Sequence, residues 1–264
     1  MARASRTCIL LRSSILFACR WSDKRTCGTP VPRKFMSQLW QQLLGGDGAY
    51  IIPQLHRYID LLLDANTRVN LTRIATQEDA EVKHIGDAFT LLPFIPDSPA
   101  HLIDVGSGGG IPGIPLAIAR PDAKVVLLES IRKKADFLHS VVKEMNLPNV
   151  EVVNARVEDV AHSARRESFD VAIARALAPM NILLEWCLPL VKKSGKVLAM
   201  KGGKASEELS QCTHALKILR GGPPVIHPVS LPGLDHHVIV AVGKMGKTPR
   251  KYPRNPSQVN SSPL

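Results

Sequence analysis

From about Tyr50 to Phe94, apolar side chains recur at three- and four-residue intervals. Tyr50, Leu55, Tyr58, Ile59, Leu62 and Leu63 mark one helical face, and Val82, Ile85, Phe89 and Leu92 mark another. The polar run Asn66–Ile74 (NTRVNLTRI) between them predicts a turn with a helix cap, and Pro93 and Pro96 close this helical preface. The period then changes. Strand-like runs at His101–Val105, Lys124–Leu128, Val150–Asn154, Phe169–Ala174 and Gly195–Met200 are separated by amphipathic runs at Gly113–Arg120, Ile131–Asn146, Met180–Val191 and Lys204–Leu219. Such alternation predicts an α/β fold, a doubly wound and mostly parallel sheet covered on both faces. The end departs from it: Val225–Leu231, a Pro-Gly turn at Pro232–Gly233, then His237–Val242 predict a hairpin that returns the last strand antiparallel.

The pattern divides the chain into a basic segment 1–34, a helical preface 35–97, an α/β domain 98–244 and a basic tail 245–264. Residues 1–34 are rich in Arg, Ser and Thr and poor in acids, which fits a disordered segment, an organelle transit peptide, or a stretch upstream of a true start at Met36. The tail from Thr248 to Leu264 has little to bury and is expected to be irregular, lying over the folded body.

Hydrophobic residues at 45% and charged residues at 22% allow a sizeable core, and no apolar run reaches the roughly 18–20 residues that span a bilayer. An integral membrane protein is thereby disfavoured. The net charge of +11 suggests a polyanionic partner, yet residues 1–34 carry +7 of it and residues 244–264 carry +5, which leaves the body close to neutral. A basic face must therefore come from local clusters or from the ends. The five cysteines (Cys8, Cys19, Cys27, Cys187, Cys212) form no C-x-x-C pair and are odd in number, so neither a disulfide scaffold nor a zinc site is indicated, and a reducing compartment fits best. His236 and His237, if on a strand, point to opposite faces and cannot share a metal.

The strongest local signal runs from Asp104 through Gly106, Gly108, Gly109, Gly110 and Ile111 to Gly113, after a strand and before a helix. Glycines there permit a tight turn and let a ligand press on bare backbone, with helix N-terminal amides facing it. Glu129 ends the next strand, where a carboxylate can accept from both hydroxyls of a ribose. The pattern predicts an adenosine-type cofactor but leaves two enzyme classes open. Gly108-x-Gly110-x-x-Gly113 with an acid near 20 positions on satisfies the fingerprint of an NAD(P)-dependent oxidoreductase. Against that, Asp104 two residues before Gly106 resembles the D/E-x-G-x-G-x-G motif of class I S-adenosylmethionine-dependent methyltransferases. The acidic pair Glu158-Asp159 beyond the third strand and the closing hairpin are also traits of that class.

Leu102–Ile118 (LIDVGSGGGIPGIPLAI) resembles the family of ribosomal RNA small subunit methyltransferase G, also called glucose-inhibited division protein B. Further matches are Asn70-Leu71-Thr72, Lys83-His84-Ile85, Asn154-Ala155-Arg156-Val157-Glu158, Ile173-Ala174-Arg175-Ala176, Met200-Lys201-Gly202 and Lys251-Tyr252-Pro253-Arg254. The resemblance implies a class I fold with a helical preface, S-adenosyl-L-methionine as cofactor, and methylation at N7 of a guanine in 16S-type RNA. It places cofactor contacts on Gly106, Ile111, Val157, Glu158 and Arg175, beside the Gly108 and Glu129 read from the turn itself. The implied setting is the bacterial cytoplasm, or a mitochondrion or plastid if residues 1–34 are a transit peptide.

Guanine N7 is a lone pair with no proton to remove, so no general base and no metal are expected; holding the reacting atoms in line is the main task. Arg132, Lys133 and Lys134, which open a helix, and Lys201 at a strand end are candidates to hold RNA phosphates, with a solvated face as the bland alternative. RNA bases are read where they are unstacked, so a looped or flipped-out target is implied. The chain is expected to act as a monomer on the RNA or on the ribosomal subunit. A cofactor-binding, ribosome-associated factor without catalysis is the third reading.

Overall fold

The computed structural model describes Trp40, residues 48–231 and residues 233–264. The segment 1–34 lies outside the described residues, as do Met36 and Pro232 of the expected turn. The preface consists of α1 (Gly48–Asn66) and a second helical stretch, α2, over 77–89. The middle of α2, Glu81–Gly86, is wound as a π-helix. Asn66 makes the turn between them: its Oδ1 accepts from the Leu71 and Thr72 amides (2.8 and 2.9 Å) and its Nδ2 donates to Thr72 O (3.0 Å).

The α/β part contains β1 (His101–Val105), α3 (Gly113–Ala119), β2 (Lys124–Leu128), α4 (Arg132–Glu144), β3 (Val150–Val153), α5 (Val157–Ala161) and β4 (Phe169–Arg175). After these come α6 (Met180–Cys187), β5 (Val191–Lys201), α7 (Ala205–Ser210), α8 (Thr213–Leu219), β6 (Gly221–Pro228), β7 (Val238–Lys244) and α9 (Pro256–Ser261). The seven strands lie in the order β3-β2-β1-β4-β5-β7-β6; β7 runs antiparallel to both β5 and β6 and the other pairs are parallel. Side chains of β1 and β2 alternate between two apolar clusters. Leu102, Val125 and Leu127 join the one that includes the preface, and Ile103, Val126 and Leu128 join the other. A sheet buried on both faces requires this near-continuous apolar sequence.

Several boundaries differ from expectation for local reasons. The run expected as one helix over Met180–Val191 ends at Cys187, because Leu188-Pro189-Leu190 tightens into a 3-10 turn and Val191 joins the sheet. The run Lys204–Leu219 is two helices, broken at Gln211–Cys212. β6 begins at Gly221 and tolerates Pro223 and Pro224 because it is an edge strand. His236, with a φ of +68°, lies in a turn and His237 just before β7, neither of them on a strand.

The tail corrects a further expectation. Residues 256–261 form α9, capped by Asn255 Oδ1 accepting from the Gln258 amide (2.9 Å), and Thr248, Tyr252 and Val259 are buried. Among the described residues no helix is long and apolar enough to cross a membrane, and no group of three or more His, Cys, Asp or Glu could hold a metal ion.

Candidate active site

β1 delivers the chain to Gly106, where it turns back toward α3. The Gly106 and Ser107 amides both donate to Leu128 O (2.8 and 3.1 Å), extending the β1–β2 pairing into the turn. Gly106 has a φ of +73°, which favours glycine, and a Cβ there would lie 2.5 Å from Leu177 Cδ1, so any side chain would also have to displace the tip of Leu177. The preface holds the turn from its other side: the buried Tyr58 hydroxyl donates to Gly109 O at 2.7 Å.

Three buried carboxylates surround the turn. Asp104 Oδ2 accepts from the Gly113 amide (2.9 Å), the first amide of α3, while Asp104 Oδ1 has no hydrogen-bond partner. Burial raises its pKa to about 7, against the opposing pull of the Gly113 amide. Glu129 accepts from the Gly108 amide through Oε2 (2.9 Å) and from the Ile131 amide through Oε1 (2.7 Å). Glu158 is buried in α5, and neither of its carboxylate oxygens has a hydrogen-bond partner; Arg156 Nε stands 3.6 Å away. Beside these acids lies a half-open crevice of about 80 Å³. Its walls include Gly106, Leu128, Val157, Leu177 and Trp186.

At the end of β4, Arg175 turns toward the preface. Nη2 donates to Lys83 O (2.9 Å), Nη1 lies 3.3 Å from His84 Nδ1, and Nε lies 3.4 Å from the buried Asp87 carboxylate. His84 Nε2 is 2.9 Å from Thr72 Oγ1. Burial, and then the Arg175 charge, push the His84 pKa down to about 4, so the ring is neutral near pH 7. Lys83 and His84 lie in the π turn of α2 and Asp87 follows it directly, so one short stretch supplies all three partners of this guanidinium.

The GidB family, described as rRNA small subunit methyltransferase G, matches residues 51–231. The chain belongs to this family. A ribosomal RNA small subunit methyltransferase G of Leuconostoc citreum (strain KM20) is 41% identical over 217 residues, which covers 81% of this chain and 91% of that protein. The protein of the same name from Pelotomaculum thermopropionicum is 40% identical over 216 residues, 81% of this chain and 90% of its own. Among solved structures, a SAM dependent methyltransferase from Aquifex aeolicus matches with a TM-score of 0.51 at 15% identity, over 64% of this chain and 94% of its own. M. jannaschii TYW2, solved in complex with AdoMet, matches with a TM-score of 0.51 at 16% identity, over 67% and 81%. These two share the fold, that of class I methyltransferases.

The residues expected to serve a GidB-family site are not all brought together. Gly106 and Val157 line the crevice, Gly108 and Glu129 are bonded to each other at the turn, and Glu158 follows Val157 in α5. Ile111 is half-buried and packs against the apolar cluster shared with the preface. Arg175 makes the contacts of a strand-end residue that ties down carbonyls and side chains of α2. The amides at the start of α3 do not face outward as expected, since Gly113 N–H is taken by Asp104 and Ile114 N–H by Gly110 O. Lys133 is exposed and Arg132 pairs with Asp136 at 2.9 Å, whereas Lys201 is nearly buried, donating to Glu208 Oε2 (2.6 Å) and Ala178 O (2.7 Å). Sequence reasoning missed Leu177 and Trp186. Trp186 sits in an apolar helix where it reads as core, and Leu177 carries no motif of its own; only the close approach to Gly106 exposes its role.

Proposed function

We propose that this chain transfers the methyl group of S-adenosyl-L-methionine to N7 of a guanine in small-subunit ribosomal RNA, with the donor held in the crevice beside the glycine turn. The observation that carries this reading is the use of Asp104. A dinucleotide's pyrophosphate needs the amides that open the helix after the turn, and here the first of them is already bonded to a buried carboxylate. With Glu129 and Glu158 nearby, the turn offers negative charge, which suits a cationic sulfonium donor and opposes a phosphate. The residues fit the donor in a second respect: the two unpartnered oxygens of Glu158 are acceptors awaiting a donor such as an adenine amino group.

In this arrangement Glu129 keeps its two amide bonds and uses its remaining lone pairs for ribose hydroxyls. Val157, Glu158 and Trp186 enclose the adenine, Gly106 and Gly108 present backbone to the sugar and the methionine part, and Ile111 and Arg175 bound the side of the site nearest the preface. When bound, the cofactor supplies a methyl group on a positively charged sulfur. The chain's part is orientation: N7 needs no deprotonation, so no side chain has to act as a base, and positioning can contribute several kcal/mol, roughly 7–11 at the limit. Lys133, Lys134 and Arg132 supply phosphate contacts at the start of α4. Their neighbour Ile131, half exposed, offers apolar surface to an unstacked base.

Incubation with tritiated S-adenosylmethionine and isolated small-subunit RNA tests the reaction. The expected outcome is label in a guanosine that borohydride and aniline cleave, the signature of N7 methylation. Cofactor binding without any incorporation would favour the non-catalytic reading, and calorimetric binding of NAD in place of S-adenosylmethionine would favour the oxidoreductase. The bacterial relatives support action in a cytoplasm, on small-subunit RNA. Sequencing the mature N-terminus tests this against import into a mitochondrion or plastid.

A further inference from the structure

After β7 the chain does not leave the body. Lys244 Nζ, fully buried, donates to Leu188 O (2.6 Å) and to Thr248 Oγ1, and stands 3.4 Å from Glu167 Oε1. Glu167 Oε1 also accepts from the Thr248 amide (2.8 Å). The Arg166 guanidinium gathers four carbonyls: Ala161 and Tyr252 through Nη1 (2.9 and 2.8 Å), Thr248 and Pro249 through Nη2 (3.0 and 3.2 Å). His162, at the end of α5, meets Pro253 O at 2.8 Å. Arg254 then grips Glu185 of α6 three times, by its amide (2.9 Å), Nε (2.9 Å) and Nη2 (2.7 Å). Glu185 is completely buried, so without Arg254 it would be a stranded charge.

The two helices joined in this way are the ones beside the crevice. α5 carries Val157 and Glu158, and α6 carries Trp186, next in sequence to Glu185. α5 has five residues and α6 eight, too short to hold position by their own hydrogen bonds. Their placement is set by ties to the rest of the molecule, and many of those ties come from the segment 245–264.

We propose that the C-terminal segment is a positioning strap for the cofactor site, in which Arg254, through Glu185, and the carbonyls bound by Arg166 and His162 fix α5 and α6 so that Val157, Glu158 and Trp186 enclose the donor's adenine. This rests on the crevice being the donor site. The strap touches no reacting atom; it acts through the helices it holds. The helices it holds carry residues placed against the donor's adenine and none placed against the RNA, so a loosened strap shows itself in donor affinity.

The test uses the full chain and the methyl-transfer assay, with KM for S-adenosylmethionine and for RNA, kcat and Tm read on each variant. Arg254→Ala is expected to raise KM for the donor roughly tenfold or more, with KM for RNA and kcat at saturating donor within about twofold. Arg254→Lys, which lacks the fork that grips both carboxylate oxygens, should fall between it and the parent. Glu185→Gln strands no charge and gives the same reading if Arg254→Ala fails to fold. Val141→Ala, a core change on the opposite face of the sheet, lowers Tm without moving KM for the donor, so a merely structural effect has its own signature. Glu158→Ala and Trp186→Ala separate the two ideas. If they weaken the donor while Arg254→Ala and Glu185→Gln leave its KM unchanged, the strap is refuted and the crevice stands. If they too leave it unchanged, the crevice reading fails and the strap with it.

Discussion

A methyl group at Gly106 would have to occupy space that Leu177 already fills, at a φ of +73° that side chains rarely adopt. The left-handed backbone alone costs about 1–2 kcal/mol of folding stability in a non-glycine residue, a cost that free and donor-bound protein share. Leu177, pushed away, moves along a wall of the crevice. Gly106→Ala is therefore expected to weaken S-adenosylmethionine by about tenfold or more while the fold persists; calorimetry that found affinity within twofold of the parent would remove Gly106 from the donor site. The same residue shows what a motif can convey. The need for glycine at 106 is readable in the sequence because a tight turn has few chemical solutions. The partner that enforces it, 71 positions further on, has no marker, since any apolar side chain could have been there.

At the scale of elements, periodicity located β1 and β2 to the residue, because a buried parallel strand has a strong apolar signature, and the Pro-Gly turn revealed the antiparallel pair β6 and β7. α5 escaped the periodicity, being too short to complete two turns, and so did the π turn in α2, in which Lys83 and His84 lie. The burial of His84 beside Arg175 has a pH consequence. His84 ionises near 6.5 when unfolded and at about 4 when folded, so the unfolded chain binds the extra proton first and its contribution to stability is lost as pH falls from 6.5 toward 4. The slope is about 1.4 kcal/mol per pH unit within that window. In His84→Asn the loss should be absent, so the stability gap between parent and variant narrows steadily on acidification; denaturant titrations giving a constant gap would show that the ring does not titrate as its surroundings dictate. Arg175→Ala tests the same contact from its β4 side. It leaves the buried Asp87 without its nearby guanidinium charge, and a loss of roughly 3–5 kcal/mol in stability should accompany any loss of donor affinity. Weakened donor binding at full stability would assign Arg175 to the donor and not to the preface.

Over the whole molecule the net charge of +11 overstates what RNA can meet. Of the five cations from 244 onward, Lys244 is buried and Arg254 is bound to Glu185, which leaves Lys247, Arg250 and Lys251 at the surface. Lys201 is likewise engaged, by Glu208 and Ala178 O, although its place at the end of β5 suggested a phosphate contact. The tail illustrates why its packing was not legible: many of its ties join a side chain to a distant backbone carbonyl, up to 91 positions away, and a carbonyl is present at every residue, so composition says nothing of which ones are used. A basic sequence thus reads as solvent-facing until its partners are known. Salt dependence distinguishes cations that hold RNA from those that hold the protein. Removing one cation that neutralises a phosphate should reduce the slope of log affinity against log salt by about one. Replacing Lys133 and Lys134 with Ala is expected to flatten that slope by about two and to leave Tm nearly unchanged, because Lys133 is exposed and neither side chain is a partner in an ion pair of the described residues. Lys201→Ala should do the reverse, lowering Tm through the unpaired Glu208 while the slope stays as it was. If Lys201→Ala flattened the slope instead, the ion pair with Glu208 would have to open on RNA binding, and the phosphate path would run across the end of β5 instead of along α4.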